Sequence, residues 1–299
     1  MRRLTVAATL MLAVAVADTA AARDRKDCER DYKPQVGQAG KDVVWVPTPD
    51  ELVQRMLRMA KVTPQDIVYD LGAGDGKIAI AAGKLGATSV GIEYNPDMAK
   101  LAGCLVDAEG VAARTRIIQG DIFKEDFSKA TVVTMYLLPE LNLCVRHRLL
   151  AMKPGTRVAS HQFTMGDWDA DETSEIEYRT AYLWIVPARV DGTWALKDGN
   201  SAVTVNLTQT FQKLSGEVVG GAGKQPLVGA SLRGDQLKFA FNDDKGVTRT
   251  FNGTVKGTEL VGTLKSGSTE TKVTGALQGS LRAAAWAEML PQCGRFYGK

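Results

Sequence analysis

Histidine and cysteine are scarce in this sequence, with 2 and 4 respectively among 299 residues. No Cys-x-x-Cys pair occurs. A zinc site is therefore not expected, and no metal is assigned. Charge of one sign is lacking too: 37 Lys and Arg face 34 Asp and Glu, a net charge of +3. Nucleic-acid binders concentrate basic charge, so no nucleic-acid partner is expected. Only one long apolar run exists, at the very start, which excludes a polytopic membrane protein. Yet 44% of the residues are hydrophobic, enough to offset chain entropy and fold. The length fits about two domains.

Residues 1–22 read as a secretory signal peptide. Arg2 and Arg3 precede an uncharged apolar run, 4–17, which is followed by Ala20, Ala21 and Ala22. Basic, apolar, small is the order such signals follow. As a helix the run would reach about 21 Å, short of the ~30 Å bilayer core. Export to the bacterial periplasm is expected, with an uncleaved membrane anchor as the alternative. An oxidising compartment favours bridges between cysteines. Cys28 and Cys293, near the two ends and outside the periodic segments, are a candidate pair for a bridge, which the sequence leaves open. Cys104 and Cys144 fall on expected helices and read as buried free thiols.

Glycine use shifts along the chain, from 13 in residues 1–188 to 17 in residues 189–299. After an N-terminal extension, 23–42, short strand-like runs alternate with helical patterns over 43–188. Strands are expected over 66–71, 89–93, 116–119, 131–136 and 157–161, with a final strand or strand pair over 178–186. Helices are expected over 77–85, 96–109 and 139–152. Another opens at Thr48 as N-cap, with Pro49 and Glu51 in its first turn. This alternation predicts an α/β doubly wound, Rossmann-like sheet, whose ligands bind beyond the carboxyl ends of its strands.

Residues 189–290 show only period-two runs, nearly each followed by glycine. They predict an all-β antiparallel meander of seven or eight strands, as a small barrel or sandwich. Trp194 and Trp286 are expected to close its core. A short helix is expected over 282–290, and 291–299 reads as a tail. No catalytic constellation appears in this part, so a stabilising appendage is its default role.

Between the first strand and its helix lies Asp70-Leu71-Gly72-Ala73-Gly74-Asp75-Gly76. Glycines permit a tight turn and close approach by a ligand. The dinucleotide spacing Gly-x-Gly-x-x-Gly fails, because Lys77 holds the third position. A carboxylate two residues before the first glycine suits a cation better than a pyrophosphate. S-adenosylmethionine carries an ammonium and a sulfonium, and no phosphate. Glu93 closes the second strand, placed to accept from both ribose hydroxyls. Asp121 closes the third, placed to accept from the adenine amino group, with Ile122 packed on the ring. The expected cofactor set is Asp70, Gly72, Ala73, Gly74, Asp75, Glu93, Asp121 and Ile122.

These residues resemble the class I S-adenosylmethionine-dependent methyltransferases. A wider series carries a narrower likeness over residues 43–188: Val46-Pro47-Thr48-Pro49, Gly91-Ile92-Glu93-Tyr94-Asn95-Pro96, Gly120-Asp121-Ile122-Phe123, Tyr136-Leu137-Leu138-Pro139-Glu140 and Gly166-Asp167-Trp168. It is similar to the protein-lysine methyltransferases acting on the adenine nucleotide translocase and the ATP synthase c subunit, and to their bacterial relatives. The resemblance implies methyl transfer to nitrogen, on a protein lysine or another amine. Nitrogen methylators often carry a polar-Pro-Pro-aromatic motif after the fourth strand. This chain has Leu137-Leu138-Pro139-Glu140 there, so that clamp does not carry over. Tyr136, Pro139, Glu140 and Trp168 are the acceptor-side candidates, and His161 is placed to take a proton. Trp45 with 46–49 forms a candidate lid. The alternative is an exported, non-catalytic binding or assembly protein acting through its β domain.

Overall fold

The computed structural model describes residues 24–198, 201–220 and 223–297. The expected signal peptide, 1–22, lies outside the described residues. Five parallel strands form the centre of the first sheet: β1 (Ile67–Leu71), β2 (Thr88–Glu93), β3 (Thr115–Gln119), β4 (Val132–Met135) and β5 (Arg157–His161). β4 is buried at every position, as an apolar run covered on both faces must be. An antiparallel hairpin extends one edge, β6 (Glu172–Ile176) and β7 (Arg179–Ile185), giving the order β3-β2-β1-β4-β5-β7-β6. Strand order reverses between β1 and β4, so the crevice at their carboxyl ends is the switch point.

The helices around this sheet are α1 (Arg25–Asp31), α2 (Asp50–Met59), α3 (Lys77–Lys84), α4 (Pro96–Ala108) and α5 (Pro139–Leu150). Asn95 caps α4, its Oδ1 accepting from the Asp97 and Met98 amides at 2.9 and 3.1 Å. α2 starts differently from the expectation. Its N-cap is Pro49, with no side-chain cap bond. The Thr48 hydroxyl instead meets His161 Nδ1 at 3.1 Å, in a buried contact across the sheet's end. Among the described residues no helix is long and apolar enough to cross a membrane.

Both cysteine expectations are corrected. The disulfides are Cys28–Cys104 and Cys144–Cys293, so the two ends are not joined to each other, and neither Cys104 nor Cys144 is a free thiol. The reason is packing. The N-terminal extension carries α1, capped by Asp24 and Asp27, and α1 lies on α4 with Cys28 buried. The last residues, set apart as a tail in the sequence, form a 3-10 turn (Pro291–Tyr297) against α5. There Phe296 stacks on Phe123 with ring centroids 4.8 Å apart, and Tyr297 Oη donates to the Cys144 carbonyl at 2.7 Å. Just before it, only Ala285–Ala287 is helical, as a single 3-10 turn, where a helix over 282–290 was expected.

The second sheet is wholly antiparallel and has nine strands among the described residues, against the seven or eight expected. They are β8 (Gly192–Asp198), β9 (Ser201–Thr210), β10 (Lys213–Gly220), β11 (Gly223–Pro226), β12 (Val228–Arg233), β13 (Gln236–Asn242), β14 (Thr248–Lys256), β15 (Glu259–Ser266) and β16 (Thr269–Gln278). Each pairs with its chain neighbour, except that β8 pairs with β16 while β11 and β12 form the two ends. Leu227 alone separates those two strands, so the sheet curls into a nearly closed barrel. Trp194, Phe239 and Phe251 fill its interior. Trp286 does not close this core as expected: it packs on Phe211, which also stacks on Trp168 of the first domain. The barrel is therefore docked on the α/β domain through aromatic rings.

Candidate functional site

A cavity of about 350 Å³ opens at the switch point, within the ~300–1,000 Å³ usual for small-molecule sites. β1 delivers Asp70 and the glycine turn, β2 delivers Glu93, and the loop after β3 delivers Asp121. All eight residues of the expected cofactor set line this one cavity. Gly72, Gly74 and Gly76 have φ of 76°, 55° and 79°, which side-chain-bearing residues rarely adopt. The turn is fastened to its neighbour strand, because the Gly72 and Ala73 amides both donate to the Ile92 carbonyl at 2.9 Å. There is no room for side chains either. A Cβ on Gly74 would lie 2.7 Å from Trp45 Nε1, and one on Gly72 would lie 3.0 Å from Leu137 Cδ2.

The cavity gathers negative charge under partial burial. Asp70 is 2% exposed and accepts from Thr134 Oγ1 at 2.7 Å. Burial pushes its pKa up to about 7, Thr134 opposes that rise, and the charges of Asp75 and Glu93 add to it. Burial likewise lifts Glu93, whose two oxygens accept from the Gly74 and Asn95 amides at 2.8 Å each. Asp75 is raised for the same reason, against the pull of Lys77. Removing carboxylates from water is unfavourable unless a cation joins them. The donor set thus calls for a positively charged ligand. Among the described residues no group of His, Cys, Asp or Glu is arranged to hold a metal ion.

The acceptor-side candidates separate. Tyr136 lines the cavity, its ring 3.8 Å from that of His161 and 6.0 Å from that of Phe163. Pro139 and Glu140 are exposed at the start of α5, and Glu140 pairs with Arg295. Trp168 is fully buried away from the cavity, stacked on Phe211, with its carbonyl accepting from Trp184 Nε1 at 2.8 Å. His161 sits behind Tyr136, 2% exposed, and its pKa is lowered to about 4 by burial and by Arg179.

The segment 38–48 closes the other side. It adds Lys41, whose Nζ donates to Asp121 Oδ2 at 2.9 Å, and Trp45. Trp45 is marked in the sequence by its neighbouring Pro residues. Lys41 carries no sequence signal, since its partner is 80 residues away.

Comparison with known proteins places this arrangement among methyltransferases. Residues 70–172 match the profile described as the ANTKMT methyltransferase domain. A protein-lysine N-methyltransferase of Saccharolobus islandicus is 42% identical over 151 residues, which are 48% of this chain and 94% of that protein. From Xenopus laevis, the lysine N-methyltransferase of the ATP synthase c subunit is 31% identical over 128 residues, 42% of this chain. The chain spans only 56% of the length of that relative. A solved RNA methyltransferase from Salinibacter ruber, in complex with S-adenosyl-L-homocysteine, is 47% identical. It aligns with 48% of this chain and 96% of its own, at a TM-score of 0.48.

Proposed function

The chain belongs to the ANTKMT methyltransferase domain family of S-adenosylmethionine-dependent enzymes, and from that premise we propose that it methylates the side-chain nitrogen of protein lysine. The residues present fit this cofactor. Positive-φ glycines leave a side-chain-free cradle, and Asp70, Glu93 and Asp121 converge on one cavity of suitable size. Asp70 and the glycine turn would hold the cationic amino-acid end, Glu93 the ribose, and Asp121 with Ile122 the adenine. Bound there, S-adenosylmethionine would supply an electrophilic methyl group, which a neutral amine would attack in line as the S–C bond breaks and S-adenosylhomocysteine leaves. The single observation that carries the reading is the convergence of those three carboxylates, from three different strand ends, on the same space.

The chain's own residues then prepare the acceptor. A lysine must lose its proton first, which costs about 4.6 kcal/mol at pH 7 from an ordinary pKa near 10.4. Tyr136, Leu137, Leu138 and Phe163 form an aromatic and aliphatic wall of the cavity. Such a wall desolvates an entering ammonium and lowers its pKa, while orienting its lone pair contributes much of the rate. Burial holds the Tyr136 phenol above its usual pKa, so it stays neutral. His161, at about 4, is too weak a base to hold a proton at pH 7. It serves as a neutral plate behind Tyr136, oriented by Thr48.

The test is a labelled-methyl assay on cell-envelope extract, followed by mass spectrometry of the labelled species. Label that resists ribonuclease, yields to protease and maps to a lysine supports the reading. Ribonuclease-sensitive label, or none, overturns it. Asp70→Ala and Glu93→Ala are expected to abolish both the label and calorimetric binding of S-adenosylmethionine. A non-catalytic binding role finds no support in the curated relatives above, both of which are named as methyltransferases.

Export to the periplasm belongs to the same proposal, as does membrane association through an uncleaved N-terminus. Two disulfides support an oxidising compartment. Trapping thiols with maleimide in intact cells should leave all four cysteines unlabelled until a reductant is added. Labelling without reductant would argue for a cytosolic protein.

A further inference from the structure

The segment that closes the cavity has its own construction. Residues 37–45 fold back as a small hairpin. Gly37 N donates to the Trp45 carbonyl at 2.8 Å, Trp45 N to the Gln38 carbonyl at 2.9 Å, and Gly40 N to the Val43 carbonyl at 2.8 Å. One leg lays Trp45 against the glycine turn, where it fills the space beside Gly74. Near the tip, Lys41 reaches across the cavity to Asp121. Its Nζ also lies 3.4 Å from Asp42 Oδ2 and 4.9 Å from the centre of the Tyr94 ring. Burial draws the Lys41 ammonium down, but Asp121 and Asp42 outweigh it and hold its pKa above the ordinary value.

Both ends of the hairpin are tethered. Upstream, Tyr32 Oη accepts from Gln38 Nε2 at 2.6 Å, and α1 is fixed to α4 through Cys28–Cys104. Trp45 and Tyr32 pack on the cluster around Cys28, Met98 and Leu101. Downstream, the chain runs through Thr48, bonded to His161, into α2. The stretch between these anchors is short, and its strongest tie to the far wall is one ion pair.

We propose that residues 37–45 are a lid on the cofactor cavity, with Lys41 as its latch on Asp121 and Cys28–Cys104 as its anchor. This rests on the cofactor reading above. The latch does not exclude the ligand. Asp121 Oδ1 accepts from the Phe123 amide at 3.0 Å and Oδ2 from Lys41. A carboxylate has about four lone-pair sites, so it can take an exocyclic amine as well. Closure covers the bound nucleoside with the hairpin, whose residues 38–45 line the cavity, and opening limits its release.

The test has two arms. In ligand-free protein, hydrogen exchange is compared for wild type, Lys41→Met, and Lys33→Met as an exposed charge control just upstream of the hairpin. Lys41→Met is expected to speed exchange at the Gly37, Gly40 and Trp45 amides while β1 and α4 stay protected, and Lys33→Met to match wild type. In the second arm, release of S-adenosylhomocysteine is followed by tryptophan fluorescence in a stopped-flow instrument. Loss of one half-shielded ion pair is expected to speed release about 5- to 10-fold with little change in association. The double variant Cys28→Ser/Cys104→Ser should also release faster. Unchanged exchange and release in Lys41→Met overturn the latch. Tighter binding by Lys41→Met overturns it too, and would make Lys41 a competitor of the ligand. If wild type binds no S-adenosylhomocysteine, the cofactor reading fails, and the exchange arm still decides the latch.

Discussion

Asp70 is the residue through which pH reaches this site. Its folded pKa of about 7 stands above its unfolded value because it is buried. The stability it contributes is present below the unfolded pKa and is lost as pH rises through about 7. Relative to Asp70→Asn, the ligand-free protein should therefore lose stability from pH 6 to pH 7.5, when measured by thermal unfolding. A cationic ligand prefers the ionised carboxylate, so affinity should run the other way. Calorimetry is expected to show S-adenosylmethionine binding several-fold tighter at pH 7.5 than at pH 6. Asp70→Asn should bind weakly at both, and a flat profile in wild type would remove Asp70 from the site. Asp70, Glu93 and Asp121 were legible in the sequence because each lies at or just past the end of a recognisable strand. Glu140 and Trp168 do not line the cavity. They adjoin the right strands, but Glu140 faces Arg295 and Trp168 faces Phe211, contacts that span 155 and 43 positions.

At the scale of elements, local chemistry predicts starts better than partners. Asn95-Pro96 announces α4, and the structure places the cap there. Asn95→Ala removes the one oxygen that accepts from the Asp97 and Met98 amides, which should cost about 1 kcal/mol. Urea unfolding is the measurement, and an unchanged midpoint would mean that tertiary contacts alone hold α4. Thr48-Pro49-Asp50-Glu51 announces α2 with equal clarity, and α2 does begin there. But the Thr48 hydroxyl goes to His161, because β5 brings that ring within reach. A cap bond and a long-range bond compete for the same oxygen, and only tertiary packing decides between them.

For the whole molecule, the aromatic seam between the two sheets matters most. Phe211 of the barrel stacks on Trp168, and Gln212 and Lys213 reach Asp169. The closing 3-10 turn returns to α5 and is fixed by Cys144–Cys293. A fragment ending at residue 187 would expose Trp168 and lose Phe296 and Cys293 from the first domain's core. It is expected to bind a hydrophobic dye and to aggregate, where the full chain does neither. A fragment that stays monomeric with native near-ultraviolet dichroism would make the barrel a separable appendage.

Residues 43–188 were readable as a cofactor-binding α/β unit because strand periodicity, the glycine turn and the strand-end carboxylates are local patterns. Burial and backbone sterics impose them wherever that unit forms. The change in glycine use likewise announced a second, all-β part. Cysteine pairing, the return of the last turn to α5, the grip of Lys41 on Asp121 and the exclusion of Trp168 from the cavity were not readable. Each depends on which surfaces meet across 40 to 150 residues. No short-range rule orders such contacts, since packing selects them only after the elements have formed.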